Sequence, residues 1–288
     1  MCIRDRVVPS LINRAYILDL TPRTSLIRAL AAAGLRPMLL DWGTPGRAEA
    51  RFDLSDYAAQ RLTPALAVAQ VLGARPPALL GYCMGGTLAA VHTMQVPGPR
   101  ALVTIGAPWD FDATQGAPFA VRAAARQMGT QRLRMQIRAL ADAFGTVPVT
   151  VFQHLFAMVD PIMAARKFRR FAGLPADGPQ AELFVALEDW LADGVPMAGP
   201  AAETLLVDWH LENALKSTRG QPGDTPPSLV VTGTGDSIAQ LPAAGALALA
   251  LPGAEQLRPQ LGHVGMITGA KAPSEVWQPV VEFLLRTS

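Results

Sequence analysis

Short apolar runs alternate with helical patterns from the start of the chain to residue 105. Each apolar run has the length of one strand, and the segments between the runs carry the start and stop signals of helices. The predicted strands cover residues 7–8, 36–41, 78–82 and 101–105. The predicted helices cover residues 22–33, 53–72 and 84–95, with Thr21 as an N-cap, Gly34 as a stop signal and Pro64 as a break. This regular alternation predicts a doubly wound, mostly parallel sheet.

The alternation stops near Trp109 and returns late in the chain. Residues 112–197 show helical patterns without a convincing strand. Beyond them, a helix is predicted over 201–215, strands over 228–232 and 255–258, and a last helix over 274–285. We therefore expect one sheet domain, made of residues 1–111 and 198–288, into which residues 112–197 are inserted as a helical lid, or cap. The alternative is that 112–197 form a second domain, but the segment is short and is flanked by strands of one sheet.

Composition narrows the class of protein. Half of the 288 residues are hydrophobic, and the net charge of +2 argues against a nucleic-acid-binding protein. No apolar run approaches the roughly 18 residues of a membrane span, and the short, charged segment 1–6 is not a signal peptide. Two cysteines do not make a disulfide framework, so a cytoplasmic location is expected, and Cys2 is given no role.

Residues 81–85, with the sequence Gly-Tyr-Cys-Met-Gly, join a predicted strand to a predicted helix. A nucleophile between two glycines in this context is typical of the nucleophile elbow of α/β-hydrolases, which usually holds a serine. The tight turn strains the backbone of the nucleophile and leaves room only for glycine two residues to either side. We therefore predict that Cys83 is the nucleophile; the alternative is a buried structural cysteine at a strand end.

An activated thiol needs a base, and His263 is the best placed of the four histidines. It lies in a predicted loop between the last strand and the last helix, at the edge of the sheet where Cys83 must also emerge. His92 lies on the elbow helix and is expected to face away, while His154 falls in the predicted lid and His210 on a predicted helix. The alternative for His263 is a hydrogen-bonded loop histidine without a catalytic role.

Asp236 follows the predicted strand 228–232 and is the expected partner of the base. The chain order nucleophile, acid, histidine is that of α/β-hydrolases. The alternative is a turn aspartate that caps a helix. The Gly-x-Gly sequence at 233–235 lacks the third glycine of a dinucleotide-binding loop. For the oxyanion hole we expect the N–H of Met84 and a second N–H from the loop after the first strand, near Ser10 or Leu11.

A cysteine nucleophile suits acyl transfer from a thioester. The acyl-enzyme is itself a thioester, so its energy is close to that of the donor, and the stored energy can drive esterification of a hydroxyl. A serine acyl-enzyme is an ordinary ester and discards that driving force. The residues alone therefore indicate an acyltransferase, with a histidine that draws off the thiol proton.

The motifs together resemble those of poly(3-hydroxyalkanoate) synthases, the polyester-forming branch of the α/β-hydrolase fold, and in particular the short, class III type. They cover nearly the whole chain: 8–20 (VPSLINRAYILDL), 41–43 (DWG), 81–87 (GYCMGGT), Trp190, Asp193, Pro196, Asn213, Asp236 and 262–263. The chain begins inside the first predicted strand, so the resemblance predicts an N-terminally truncated fold in which the charged residues 1–6 are not a native start. It departs from the family after the acid, where residues 237–241 (SIAQL) stand in place of His-Ile-x-Pro-Trp.

The resemblance implies that Cys83 is acylated by a 3-hydroxyacyl-CoA, that His263 is the general base, and that Asp236 orients His263 or activates the incoming hydroxyl. It implies no metal and no cofactor beyond the CoA that the substrate carries. It also implies a polyester product, a homodimer or an accessory synthase subunit as partner, and a location in the cytoplasm or on polyester granules.

Three other functions stay open. A thioesterase of the same fold uses water in place of the hydroxyl acceptor. A dienelactone-hydrolase-like enzyme shares the cysteine elbow, but such enzymes are compact, and the insertion at 112–197 argues against them. A non-catalytic granule-associated synthase homologue belongs to a different class, against which the intact Cys83, Asp236 and His263 set argues.

Overall fold

The structure is a computed structural model and describes residues 5–73, 76–159 and 163–288; Cys2 lies outside the described residues. Six parallel strands form one sheet, and two short antiparallel strands form a hairpin beside it. The strands are β1 (Arg6–Val8), β2 (Asp19–Thr21), β3 (Thr24–Ser25), β4 (Met38–Leu39), β5 (Leu79–Tyr82), β6 (Leu102–Ile105), β7 (Ser228–Val231) and β8 (Glu255–Leu257). The order in the sheet is β4-β1-β5-β6-β7-β8, so the predicted doubly wound parallel sheet is confirmed.

Helices lie between these strands and in one long stretch after β6. The α-helices are α1 (Leu26–Ala32), α2 (Leu54–Tyr57), α3 (Thr63–Gly73), α4 (Met84–Gln95), α5 (Ala117–Met128), α6 (Thr130–Phe144), α7 (Val149–Val159), α8 (Met163–Phe171), α9 (Pro179–Ala192), α10 (Gly199–Glu203), α11 (Leu241–Ala250), α12 (Gly265–Thr268) and α13 (Gln278–Arg286). Short 3-10 segments cover Ala15–Leu18, Glu49–Arg51, Phe111–Ala113 and Ala214–Ser217, and π-helical segments cover Ala58–Leu62, Thr204–Leu211 and Pro273–Trp277.

The predicted start of the first helix is wrong. Thr21 ends β2, and its hydroxyl accepts a hydrogen bond from Thr24 N at 3.0 Å, which closes a hairpin turn. The helix begins at Leu26, because Ser25 caps it by accepting from Arg28 N. Local side-chain hydrogen bonds of this kind compete with the start of a helix, so Thr21 and Pro22 form a turn here instead.

The predicted break in helix 53–72 is confirmed, and it takes the form of a π-helical segment. Asp53 caps α2, the chain widens at Ala58–Leu62, and α3 follows with Pro64 in its first turn. The Thr63 hydroxyl donates to the Ala58 carbonyl at 3.0 Å. Proline lacks an N–H donor, so a wider turn at this point compensates for a hydrogen bond that an α-helix would lose.

Side chains of the central strands alternate between two apolar clusters, one on each face of the sheet. Leu79 and Leu102 belong to the cluster beneath α4, whereas Leu80 and Val103 belong to the cluster beneath α1 and α13. All four residues are fully buried. Strands that are apolar on both faces fit a parallel sheet with helices on both sides.

Asp5 and Arg6, set apart by sequence as part of a charged leader, are packed into the sheet. Arg6 begins β1, and the Asp5 carboxylate accepts from Ala78 N at 2.9 Å and from Arg100 at 2.8 Å. Burial raises the pKa of Asp5, against the charge of Arg100 and the hydrogen bonds it accepts from Ala78 and Arg100. The two residues therefore join the start of β1 to the strand that leads to Cys83.

Residues 112–197 are helical, and the described part of them holds α5 to α9 and no strand. Their side chains are continuous with the core of the sheet domain: Ile137 and Phe152 lie in the same apolar cluster as Leu88 of α4. At the end of the segment, isolated bridges pair Val147 with Met197 and Asn13 with Gly194. The segment is thus fastened to the loop that follows β1.

Candidate active site

Cys83 lies in the turn between β5 and α4, with φ 55° and ψ −131°. Among the described residues, it and Asn213 are the non-glycine positions with positive φ. The turn is held from both sides: Cys83 N donates to Ile105 O of β6 at 2.9 Å, and Gly86 N donates to Cys83 O at 2.9 Å. A strained residue that its surroundings fix in this way is typical of a functional position. The predicted elbow geometry is present.

The glycines around Cys83 are required by close backbone contacts. A methyl group on Gly85 would overlap the carbonyl oxygens of Val8 and Pro9, and one on Gly81 would overlap the backbone of Gly86. The elbow therefore presses directly against the end of β1. This contact ties the position of the nucleophile to the loop that begins at Pro9.

Gly85→Ala is expected to lower the free energy of unfolding by about 3 kcal/mol, because the added methyl group must push backbone carbonyls aside. Urea unfolding followed by circular dichroism measures this change. Gly245→Ala, in α11, is the matched control because no atom lies within 4 Å of its new Cβ. It should stabilise the helix by roughly 0.5–1 kcal/mol. Equal stability of the two variants would contradict the tight contact.

His263 and Asp236 form a buried pair. His263 Nδ1 lies 2.7 Å from Asp236 Oδ2, and the two side chains are 7% and 0% exposed. The second carboxylate oxygen of Asp236 accepts from Ile238 N and Ala239 N, both at 2.8 Å. One oxygen of Asp236 therefore fixes the turn that precedes α11, and the other holds the imidazole; its part in catalysis stays a prediction.

The surroundings of His263 favour its protonated form. Burial alone lowers the pKa of its imidazole, but the charge of Cys83, the hydrogen bond to Asp236, a hydrogen bond to Cys83 and the charge of Asp236 together raise it to about 10. The side chains of Cys83 and His263, predicted to be nucleophile and base, therefore lie next to each other at one end of the sheet.

The histidine ring is also held by packing. Gly106 follows β6 with φ 59°, and a methyl group there would lie 3.0 Å from His263 Nδ1. The ring of Tyr82 lies 5.1 Å from the imidazole, centroid to centroid, and the Tyr82 hydroxyl donates to His263 O at 3.4 Å. The imidazole is therefore held by Asp236 at one nitrogen and by close contacts with Gly106 and Tyr82.

The predicted oxyanion residues Met84 and Ser10 lie on the two sides of the contact between elbow and loop. Met84 is the first residue of α4, so its N–H has no acceptor within the helix. Ser10 is buried, and its hydroxyl accepts from Ile12 N at 3.3 Å, so this side chain shapes the loop. The assignment of both N–H donors stays a prediction.

The remaining histidines lie apart from this arrangement. His92 is buried in α4, its Nε2 has no partner among the described residues, and burial lowers its pKa. His154 is exposed and bonds to Thr150 O. Burial lowers the pKa of His210 to about 4, and its ring packs 4.2 Å from that of Phe111.

Residues 237–241, which differ from the family's motif after Asp236, connect two parts of the fold. The side chain of Gln240 accepts from Gln115 N at 2.7 Å and donates to Gln115 O at 3.0 Å. It therefore fastens the loop of Asp236 to the start of the helical insertion. Ser237, which stands in place of the family's histidine, is exposed.

Three residues that the sequence analysis noted only as part of shared motifs make hydrogen bonds to segments distant in the chain. Trp42 Nε1 donates to Pro9 O at 3.0 Å, and Trp190 Nε1 donates to Arg14 O at 2.9 Å. Asn213 accepts from Phe111 N at 2.9 Å and donates to Asp110 and Asp112, each at 2.8 Å. An isolated tryptophan or asparagine gives no signal of its partner, so these roles needed the structure.

Residues 17–270 match the family described as alpha/beta hydrolase fold. The chain belongs to this family. Among solved structures, MenH from S. aureus (13% identical, TM-score 0.59, 99% of this chain and 94% of that one) and a thermophilic esterase from Thermogutta terrifontis (15%, TM-score 0.62, 99% and 90%) have a similar fold. Identities this low show the fold alone.

Curated relatives are named "Poly(3-hydroxyalkanoate) polymerase subunit PhaC", which confirms the predicted resemblance. The protein of Haloferax mediterranei is 28% identical over 98% of this chain and 58% of its own length. That of Allochromatium vinosum is 26% identical over 96% of this chain and 79% of its own length. The chain spans 58%, 59% and 55% of the lengths of three curated relatives with this name, those of Haloferax mediterranei, Haloarcula marismortui and Synechocystis sp..

Two further findings concern the described residues as a whole. No helix in the ranges 5–73, 76–159 and 163–288 combines the length and the apolar character that crossing a bilayer requires. In the same ranges, no group of three or more His, Cys, Asp or Glu residues is arranged to hold a metal ion.

Proposed function

We propose that this chain is an acyltransferase of the poly(3-hydroxyalkanoate) synthase type, which transfers 3-hydroxyacyl groups from CoA to a growing polyester. One observation carries the proposal: the elbow holds a cysteine, and the base beside it is a buried His263–Asp236 pair with a raised pKa. The relatives support it, since polymerase subunits match nearly the whole chain.

The first half-reaction loads Cys83. Its thiolate attacks the thioester carbonyl of the acyl-CoA, and the oxyanion that forms is met by the N–H of Met84 and one from the loop after β1. The C–S bond to CoA then breaks, and protonated His263 gives its proton to the departing CoA thiolate. The products are free CoA and an acyl-Cys83 thioester, and His263 is left neutral.

The second half-reaction forms an ester. A 3-hydroxyl group attacks the carbonyl of the acyl-Cys83 thioester and gives its proton to neutral His263. The C–S bond to Cys83 breaks, which restores the thiolate and the protonated base. Asp236 holds His263 Nδ1 at 2.7 Å, so that Nε2 is the nitrogen available for both transfers.

We assign residues 112–197 the role of a lid that keeps water from the acyl-enzyme. A shared apolar cluster and the bridge from Asn13 to Gly194 support this assignment, because both hold the insertion against the sheet domain beside the loop after β1. The accessory synthase subunit or homodimer partner, and a place on cytoplasmic polyester granules, belong to the same proposal.

Incubation with 3-hydroxybutyryl-CoA tests the function. We expect release of CoA, a mass increase of one 3-hydroxybutyryl unit on the peptide that contains Cys83, and a polymeric product. Protein alkylated with iodoacetamide is the control and should release no CoA. Free 3-hydroxybutyrate as the sole product would indicate a thioesterase, and no CoA release at all would indicate a non-catalytic homologue.

A further inference from the structure

The loop Pro9–Asn13 borders the nucleophile and is positioned by residues far from it in sequence. We propose that Trp42 is a positioning residue for acyl transfer: its indole N–H fixes the Pro9 carbonyl and thereby the N–H groups of Ser10 and Leu11, relative to Cys83. This inference rests on the proposed reaction at Cys83.

The loop after β1 touches the elbow that holds Cys83. The carbonyls of Val8 and Pro9 lie so close to Gly85 that no side chain fits there. Gly85 stands two residues after Cys83, on the first turn of α4. A movement of the Pro9 carbonyl would therefore change the distance between the loop and Cys83.

Trp42 holds that same carbonyl. Its Nε1 donates to Pro9 O at 3.0 Å, and its ring packs edge-on against Tyr57 with 5.7 Å between centroids. Gly43, with φ 67° and its N–H bonded to Asp41 Oδ1 at 2.9 Å, forms the turn that presents the indole. A half-buried tryptophan with one hydrogen bond and one aromatic contact is a rigid support.

The C-terminal end of the loop is held by other hydrogen bonds. Val195 N donates to Ile12 O at 2.9 Å, and Trp190 Nε1 donates to Arg14 O at 2.9 Å. Trp190 therefore makes the same indole-to-carbonyl hydrogen bond as Trp42, five residues further along the chain from the elbow contact. The two tryptophans differ in which end of the loop they hold.

The expected effect follows from how an oxyanion hole works. A donor acts over a narrow range of about 2.7–3.1 Å, and loss of one donor costs roughly 10²–10³ in kcat. Removal of the Trp42 N–H relaxes the loop without deleting the donor, so we expect part of that loss, about tenfold. The reactivity of the thiol should not change, because the hydrogen bond and the ring contact of Trp42 go to Pro9 and Tyr57.

The experiment compares Trp42→Phe with Trp190→Phe, which delete equivalent hydrogen bonds. Acylation by p-nitrophenyl butyrate, which needs Cys83 and an oxyanion hole but no CoA recognition, is measured as pre-steady-state release of p-nitrophenol. Alkylation of Cys83 by iodoacetamide, which forms no oxyanion, reports thiol reactivity. Thermal unfolding reports stability.

For Trp42→Phe we expect about tenfold slower acylation, KM within twofold, and unchanged alkylation. Trp190→Phe should acylate at the wild-type rate with a similar loss of stability. Equal acylation by both variants, or a parallel fall of alkylation and acylation in Trp42→Phe, overturns the inference. Wild-type protein that reacts with the ester but not with 3-hydroxybutyryl-CoA contradicts the proposed function alone.

If Trp42→Phe does not fold, a second variant tests the same inference. Gly43→Ala retains the indole but strains the turn that presents it, because a residue with a side chain rarely adopts φ 67°. It should slow acylation two- to fivefold and leave alkylation unchanged. An unchanged acylation rate in a folded Gly43→Ala protein overturns the role of this turn.

Discussion

Cys83→Ala is expected to abolish acyl-enzyme formation and turnover while the protein stays folded. In the proposed reaction the sulfur carries the acyl unit, and alanine keeps the backbone atoms that bond to Ile105 O and Gly86 N. Intact mass after incubation with 3-hydroxybutyryl-CoA should therefore remain that of the free protein. Turnover by folded Cys83→Ala protein would contradict the assignment of the nucleophile.

The same variant tests the electrostatics of the site. Burial lowers the pKa of His263, whereas the charge of Cys83 raises it. With the sulfur removed and the burial retained, the pKa of His263 should fall, which an NMR titration of the imidazole Cε1–H measures. Cys83→Ser is the matched control for nucleophile chemistry: it should retain little transfer, because an alkoxide is harder to form than a thiolate.

His263→Gln is expected to lower kcat by about 10³-fold, within the range that a positioned general base contributes. Glutamine keeps the approximate size of the side chain and its hydrogen bond to Asp236, but it neither accepts the thiol proton nor returns it to the leaving group. CoA release is the measurement, and thermal unfolding checks that the protein is folded.

His92→Gln is the matched control. His92 is as buried as His263, but it lies inside α4 and its Nε2 has no partner among the described residues. Its replacement should change stability and leave kcat within about threefold, since no catalytic step uses it. Equal loss of kcat in the two folded variants would require the triad to be abandoned.

Sequence alone was enough to predict that Cys83, Asp236 and His263 lie close together, because each follows a strand of the parallel sheet. Cys83 follows β5, Asp236 follows β7 and His263 follows β8, so topology brings all three to the edge at which the parallel strands end. The glycines beside Cys83 added a steric requirement that can be recognised in a short window of residues. Local patterns were sufficient for this part of the site.

Other features escaped the sequence for identifiable reasons. Helix α11 (Leu241–Ala250) is rich in alanine and leucine on every side, so it shows no helical period. The hairpin of β2 and β3 replaced a predicted helix start because a threonine hydroxyl closed a turn. The bonds from Trp42 to Pro9 and from Trp190 to Arg14 join residues 33 and 176 positions apart, and no local pattern encodes such pairs.

The strained elbow has a consequence for biosynthesis. Tyr82, beside the nucleophile, and His263 are 181 residues apart. At a synthesis rate of about 5–20 residues per second, Cys83 leaves the ribosome roughly 10–40 s before its base does. The loop after β1 also waits for Val195 before both of its ends are fastened. If the proposed reaction is right, a nascent chain therefore holds Cys83 without its base until β8 and the loop of His263 have joined the sheet.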